Sequence, residues 1–325
     1  MRQERRYSVL FTGRTERGVM AAIPDATATG PGTLFLVPTP IGNFRDITVR
    51  AVDVMRAAAI IAAEDTRKAS TLLRALGVRA RLVSYYDFNE QSRSDQLLRL
   101  LQAGQDVALI SDAGTPLLND PGYRIVSAAI AAGVRVCPLP GPSAILTALV
   151  GSGLPSHRFD YAGFLPRRSA ARQAAIRQLA DLPATLIFFE APHRLLATIS
   201  DLREVLGDRD AALARNLSKS DEEYVRGPLS AIEAELTARA EVRGEYTVVV
   251  AGAAERDFDA ADQLADQLVR ALLERGVAPH VVRDVVKDVT GLPRNRVYQR
   301  LQAVRREDQE TGGHAGPAQP SGDRE

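Results

Sequence analysis

The chain has 325 residues, 45% of them apolar, with a formal net charge of +1. That length suits two or three domains with ordinary packed cores, and the balanced charge excludes a global field drawing the whole molecule to nucleic acid or a membrane. The single cysteine, Cys137, excludes a disulfide framework and a thiolate metal cluster.

Residues 1–31 carry arginines but lack the apolar segment and small-residue cleavage site of a signal peptide. They read as a disordered extension. Nowhere does the chain approach the roughly 20 apolar residues that span a bilayer, so no membrane association is expected and a reducing cytoplasm fits. From Thr33 onward, strand-like and helix-like segments alternate. Leu34–Val37 leads to a helix near Thr48–Ala58, and Ile60–Ala63 to a helix ending at Leu76. Leu82–Ser84 precedes one at Ser92–Leu101, Val107–Ile110 one at Gly122–Ala132, and Val134–Leu139 one starting at Ser143. This alternation predicts an α/β fold with a largely parallel sheet covered on both faces, spanning residues 32–153. Cys137, inside the last apolar run, reads as a buried small hydrophobe.

Gly151-Ser-Gly-Leu-Pro155 marks a link to a second α/β domain over residues 154–255. Strands are expected at Phe159–Phe164, Ala184–Phe189, Ala211–Ala214 and Tyr246–Ala251, some of them antiparallel. Helices are expected at Ala170–Leu179, Arg194–Val205 and Ala231–Ala240. Residues 256–306 form a small helical appendage in which Val281–Val286, Thr290–Pro293 and Val297–Val304 resemble helix, turn and helix. Nine Lys/Arg against five Asp/Glu between Asp262 and Arg306 make it basic. It is a natural RNA-contact element, with packing on a neighbour as the plain alternative. Residues 307–325, rich in Gly, Pro, Gln and charge, read as a solvated tail.

Four segments spend their residues on small-side-chain backbone: Val37–Asn43, Ala63–Arg67, Ser111–Pro116 and Pro140–Ala144. Strand ends that open into Gly/Pro loops on one edge of a parallel sheet are where open α/β folds hold ligands. No G-x-G-x-x-G or G-x-x-x-x-G-K-[ST] occurs, and the prolines of Pro38-Thr-Pro40 remove N–H donors that a phosphate cradle needs. The expected ligand is therefore not held by its phosphates. His157, His193, His280 and His314 are dispersed without metal-ligand spacing. Asp112 is either a ligand acceptor or a helix cap, and Asp65 either a site residue or an N-cap with Arg67 in solvent. His193 and Arg194 either join the site with Glu190, which ends an apolar strand, or begin a solvent-facing helix. Arg215–Arg226 reads by default as an exposed solvated loop.

Taken together, Leu36–Asn43, Ala63–Arg67, Ser111–Gly122 and Leu139–Ser143 resemble the bacterial 16S ribosomal RNA (cytidine-2′-O)-methyltransferases, within the tetrapyrrole-methylase-like superfamily. The resemblance continues through Gly163–Pro166, Phe188–Arg194, Ala214-Arg215 with Lys219, and Gly244-Glu245. It implies two α/β domains of tetrapyrrole-methylase type with S-adenosylmethionine in the cleft between them, a homodimer, and a cytidine in the decoding region of 16S rRNA within the small (30S) ribosomal subunit as target. Carried across residue by residue, it implies cofactor contacts at Pro40, Ile110, Ser111, Asp112, Thr115, Ser143, Ala144 and, from the second domain, Glu190 and Leu217. Asp65 and Glu190 are the expected proton acceptors, with Lys219 or Arg67 holding RNA phosphate or the developing oxyanion. Asn216 stands where this family usually carries Glu, which weakens a base at that position. A superfamily enzyme acting on a tetrapyrrole precursor and a non-catalytic RNA-binding factor are the competing expectations.

Overall fold

The computed structural model describes residues 30–254 and 258–311. The expected extension, apart from its last two residues, and the tail beyond residue 311 lie outside the described residues. Residues 30–179 with 184–251 form one compact unit containing two five-stranded sheets.

The first sheet consists of Thr33–Val37 (β1), Ile60–Ala63 (β2), Leu82–Ser84 (β3), Val107–Ile110 (β4) and Arg135–Pro138 (β5), in the order β3-β2-β4-β1-β5. Every pairing is parallel, with Leu34 opposite Val107 and Ile61 opposite Leu82. The four segments singled out in the sequence therefore all leave the sheet at its carboxyl edge. Side chains alternate between the faces of a strand. Phe35 and Val37 pack with Ala51, Val54 and Met55 of helix Val49–Ala57 (α1) and Leu73 of helix Thr66–Ala75 (α2). Leu34, Ile60 and Leu109 meet Leu97 and Leu101 of helix Glu90–Gln102 (α3) and Ile125 of helix Tyr123–Ala131 (α4) on the opposite face. Cys137 departs from expectation: it is half-buried rather than sealed, because β5 is an edge strand with β1 as its partner.

The second sheet holds Phe159–Phe164 (β6), Thr185–Glu190 (β7), Asp210–Arg215 (β8), Glu223–Pro228 (β9) and Tyr246–Val250 (β10), in the order β6-β7-β10-β8-β9. β6 and β7 are parallel, while β10 runs antiparallel to β7 and β8, and β9 antiparallel to β8. Helix Ala144–Ser152 (α5) packs on one face, where Ile145, Ala148 and Leu149 meet Ile187, Ala212 and Val249. Ser143 Oγ caps its start by accepting from the Leu146 N–H (3.3 Å), and Gly153 ends it at φ 82°. Ser169–Leu179 (α6), Pro192–Leu206 (α7) and Leu229–Ala238 (α8) pack side by side behind the sheet. A buried ion pair, Arg172 to Asp201 at 2.5 Å, ties α6 to α7.

Arg215–Arg226 is not the solvated loop the sequence predicts. It contains the turn from β8 into β9, with Asn216 and Leu217 buried. Its strand carries few apolar residues, Tyr224 and Val225, so period-two patterning is absent. Pairing with β8 and the Tyr224 hydroxyl donating to Thr147 O on α5 (2.9 Å) hold it instead.

Residues 180–183, 252–254 and 258–311 form a second compact unit. Its helices are Phe258–Glu274 (α9), Pro279–Thr290 (α10) and Arg294–Thr311 (α11). Val282 and Val286 pack with Val297, Leu301 and Val304, the i, i+4, i+7 stripe of an amphipathic helix. Gly291, at φ 65°, caps α10 before Pro293, matching the expected helix, turn and helix. α11 continues to Thr311, past the expected end near Arg306, because Arg, Glu and Gln sustain a helix. Among the described residues no helix is long and apolar enough to cross a membrane.

Candidate functional site

The carboxyl edge of the first sheet faces the ends of β7 and β10 across a cavity of about 450 Å³. That volume lies within the range of small-molecule sites. Of the expected site residues, Thr115, Ser143 and Ala144 line it from the first sheet's loops, and Glu190 and Leu217 from the second sheet. Ile41, Asp120, Phe164, Phe189, Glu245 and Tyr246 also line it. Among the described residues, its lining carries three carboxylates, Asp120, Glu190 and Glu245, and no lysine, arginine or histidine. Arg194 and Lys219 pair with Glu190 and Glu245 from behind this lining, so much of its negative charge is compensated.

The walls are fixed by backbone pairing between loops. Thr39 and Gly114 exchange two N–H···O bonds of 2.9 Å, and the buried Thr39 hydroxyl donates to Ser111 O (3.0 Å). Thr115 Oγ1 donates to Pro142 O (3.2 Å), joining the β4 and β5 loops. Gly42 sits so close to the β8–β9 turn that a Cβ there would lie 2.7 Å from both Leu217 O and Lys219 Cγ. Asn216, at φ 50°, spans the turn: its amide donates to Asp221 Oδ2 (2.7 Å), and its Oδ1 accepts the Glu245 N–H (3.0 Å). Asn216 thus holds the cavity wall at Gly244-Glu245.

The electrostatics single out Asp120. Burial, and then the charges of Glu64 and Asp112, push its pKa up to about 6. Burial also leads the rise of Glu64, with Asp112 next. The Tyr161 hydroxyl is pushed up by burial and then by Asp120, and it accepts a hydrogen bond from the Asn119 amide (2.6 Å). Leu117 and Asn119 hold φ of 74° and 66°, a strained stretch that presents Asp120 to the cavity.

The two expected proton acceptors, Asp65 and Glu190, sit differently. Asp65 caps α2, accepting the Arg67 N–H (2.8 Å), and also accepts the Arg67 guanidinium, Nε to Oδ1 at 3.1 Å. That side-chain bond brings its pKa down to about 2. The Glu190 side chain is fully buried. Its oxygens accept from Thr198 Oγ1 (2.6 Å), the Ala191 N–H (2.8 Å) and Arg194 (3.2 Å). Arg194 is thereby tied down, also donating to Leu165 O (2.7 Å), whereas His193 is exposed on the first turn of α7. Lys219 pairs with Glu245 at 2.9 Å from just outside the cavity. Ile110 is buried in the sheet and Ser111 Oγ donates to Gly114 O (3.0 Å), so both support the loop beneath the cavity. Pro40 and Asp112 border a smaller neighbouring cavity instead. Asp112 caps no helix: it accepts the Asp65 N–H (3.1 Å) and Lys68 Nζ (2.7 Å), linking β4 to α2. Among the described residues, no cluster of His, Cys, Asp or Glu has metal-binding geometry.

The family model of the tetrapyrrole (corrin/porphyrin) methylases matches residues 33–233, which run through both sheets. The chain belongs to the tetrapyrrole methylase family. Within that family it is 57% identical over 277 residues to ribosomal RNA small subunit methyltransferase I of Micromonospora olivasterospora, covering 85% of this chain and 88% of the relative. The protein of the same name from Escherichia coli O157:H7 is 45% identical over 271 residues, covering 82% and 93% respectively. Among solved structures, diphthine synthase shares the fold at a TM-score of 0.52 and 18% identity, with 68% of this chain and 90% of that one covered. The methyltransferase CobJ does so at 0.51 and 21%, with 69% and 96% covered.

In this member of the tetrapyrrole methylase family, several cavity residues escaped the sequence reading. Phe164, Gly244 and Glu245 lie inside strings that carried the resemblance, yet nothing local marked them as lining a cavity. Asp120 stands in Asn119-Asp-Pro-Gly122, which reads as a turn. Its raised pKa arises from burial and then from the charges of Glu64, just after β2, and Asp112, just after β4, and a linear reading reveals neither the burial nor the approach of Glu64.

Proposed function

We propose that this chain is an S-adenosylmethionine-dependent methyltransferase that modifies the ribose 2′-oxygen of a cytidine in the decoding region of 16S rRNA. The observation that carries this reading is the 450 Å³ cavity, lined by Phe164, Phe189 and the Asp120 carboxylate, in a chain 57% identical to a ribosomal RNA small subunit methyltransferase I. The residues present fit the cofactor. Phe164 and Phe189, 5.7 Å apart edge to face, offer an aromatic wall for an adenine ring. Glu245 offers an acceptor for ribose hydroxyls or an ammonium group, and Gly114 and Gly244 leave bare backbone within reach. When bound, S-adenosylmethionine supplies a methyl group activated by positive sulfur.

The remaining task is to place the ribose oxygen and remove its proton. Asp120 suits proton removal best: with a pKa near 6 it is ionised at neutral pH and more basic than an ordinary carboxylate. As the oxygen gains its methyl, its proton passes to the Asp120 carboxylate. Asp65, held near 2 by Arg67, is a much weaker base. Glu190, fully buried, already accepts from Thr198, Ala191 and Arg194 and serves to brace the end of β7 beneath the cavity. A cytoplasmic homodimer working on the small subunit completes the reading.

The test supplies methyl-labelled S-adenosylmethionine with small ribosomal subunits lacking the modification, or with a tetrapyrrole precursor. Label in the rRNA is expected. Label in the tetrapyrrole alone would reassign the substrate.

A further inference from the structure

A second concavity of about 260 Å³ opens beside the first, lined by Pro40, Phe44, Lys68, Thr71, Leu72 and Asp112. The two share the same loops. Pro40 and Asp112 border this one, whereas their chain neighbours Ile41 and Ala113 border the larger cavity. Methyl transfer requires donor and acceptor atoms within about 3–3.5 Å, so the acceptor nucleotide has to lie against the cofactor site, and this concavity adjoins it.

Its chemistry matches a nucleobase. Phe44 is 50% exposed although it is a large apolar ring, and it is held on a short 3₁₀ turn, Phe44–Asp46, capped by Asn43. Pro40 and the buried Leu72 extend the apolar surface. Asp112 uses one lone pair on each oxygen, for Asp65 N–H and Lys68 Nζ. Each oxygen keeps further acceptor capacity. A carboxylate accepts from the exocyclic amino group of cytosine, whereas uracil presents a carbonyl there. Lys68, 66% exposed at its side chain, stands ready for a carbonyl or phosphate oxygen.

Resting on the reading that the acceptor is RNA, we propose that the Phe44–Leu72–Asp112 concavity is the subsite for the base of the target nucleotide. The base leaves its stack, lies against Phe44, and offers its exocyclic amino group to Asp112. Taking a base out of its stack is how enzymes acting on structured nucleic acid gain access to a nucleotide.

The test compares wild type with Phe44→Ala and Phe44→Tyr, measuring KM for small subunits and, separately, cofactor affinity by calorimetry. A base–aromatic stack corresponds to roughly a 5- to 150-fold effect. Phe44→Ala should raise KM for the subunits within that range, leave cofactor Kd within twofold, and be rescued by Phe44→Tyr. Subunits carrying uridine at the target position should be methylated poorly by wild type. A KM unchanged within twofold in Phe44→Ala, or a parallel loss of cofactor affinity, would overturn the subsite while leaving the rRNA reading intact. Absence of any transfer from wild type to rRNA would overturn both.

Discussion

Replacing Asp120 with Asn separates catalysis from folding. The Asp120 pKa rises from 3.8 to about 6, which at about 1.36 kcal/mol per unit corresponds to ~3 kcal/mol. The side chain stays partly open to water, so solvent screening reduces this to roughly 1–2 kcal/mol. Between the unfolded and folded pKa values the native state binds more protons, so stability falls as pH rises through about 4 to 6 and stays lower above. Asn carries no charge. At pH 7.5 Asp120→Asn should therefore be more stable than wild type by roughly 1–2 kcal/mol, raising Tm by about 2–4 °C per kcal/mol, with the gain shrinking toward pH 4. Turnover should fall about 10²- to 10⁴-fold. Wild-type kcat/KM should drop tenfold per pH unit below about 6, and the variant should lose that acid limb. Thermal melts across pH, combined with methyl-transfer rates on small subunits, measure both. A variant that keeps more than a tenth of wild-type turnover with the same acid limb would refute Asp120 as the base.

Glu190→Gln should lower Tm and weaken cofactor binding but keep the acid limb near pH 6, since the buried carboxylate braces β7; loss of that limb would make Glu190 the base after all. Gly42→Ala puts a Cβ 2.7 Å from Leu217 O and Lys219 Cγ. It should cost about 1–3 kcal/mol of stability and raise cofactor Kd roughly tenfold, measurable by denaturation and calorimetry. Arg172→Met leaves Asp201 buried without its cation and should cost about 3–5 kcal/mol, with cofactor Kd unchanged at a temperature where the variant is folded. Burial favours the neutral form of Asp201, but hydrogen bonds from Gln173, Ser169 and Arg172 outweigh it and hold its pKa low. This stabilisation is present above the ordinary carboxylate range and is lost as pH falls through the lowered pKa, so wild type and Arg172→Met should converge in acid.

What the sequence revealed followed from periodicity that the physics enforces. Strands buried on both faces read as continuous apolar runs, so β1, β2 and β4 were legible, as were the Gly/Pro loops that follow β1 and β4. β9 was not, because its pairing partner and Tyr224 hold it rather than any apolar alternation. The loop residues Thr115, Ser143, Ala144 and Leu217 do meet at the cavity. The N-cap role of Asp65 was one of the readings its motif offered, but Arg67 folding back onto it and Thr198 closing over Glu190 were not, since motif position says nothing of either contact. Asp120 became visible only once the fold buried it and the pairing of β2 with β4 brought Glu64 and Asp112 near it.

The most direct measurement locates the transferred methyl group within the nucleotide. Labelled small subunits are digested with alkali, which cleaves RNA through the free 2′-hydroxyl and so spares the bond following a 2′-O-methylated residue. Label recovered in an alkali-resistant dinucleotide beginning with cytidine, from the decoding region, is the expected result. Label in alkali-labile mononucleotides would mean that a base atom is methylated, contradicting ribose-oxygen chemistry and the role given to Asp120.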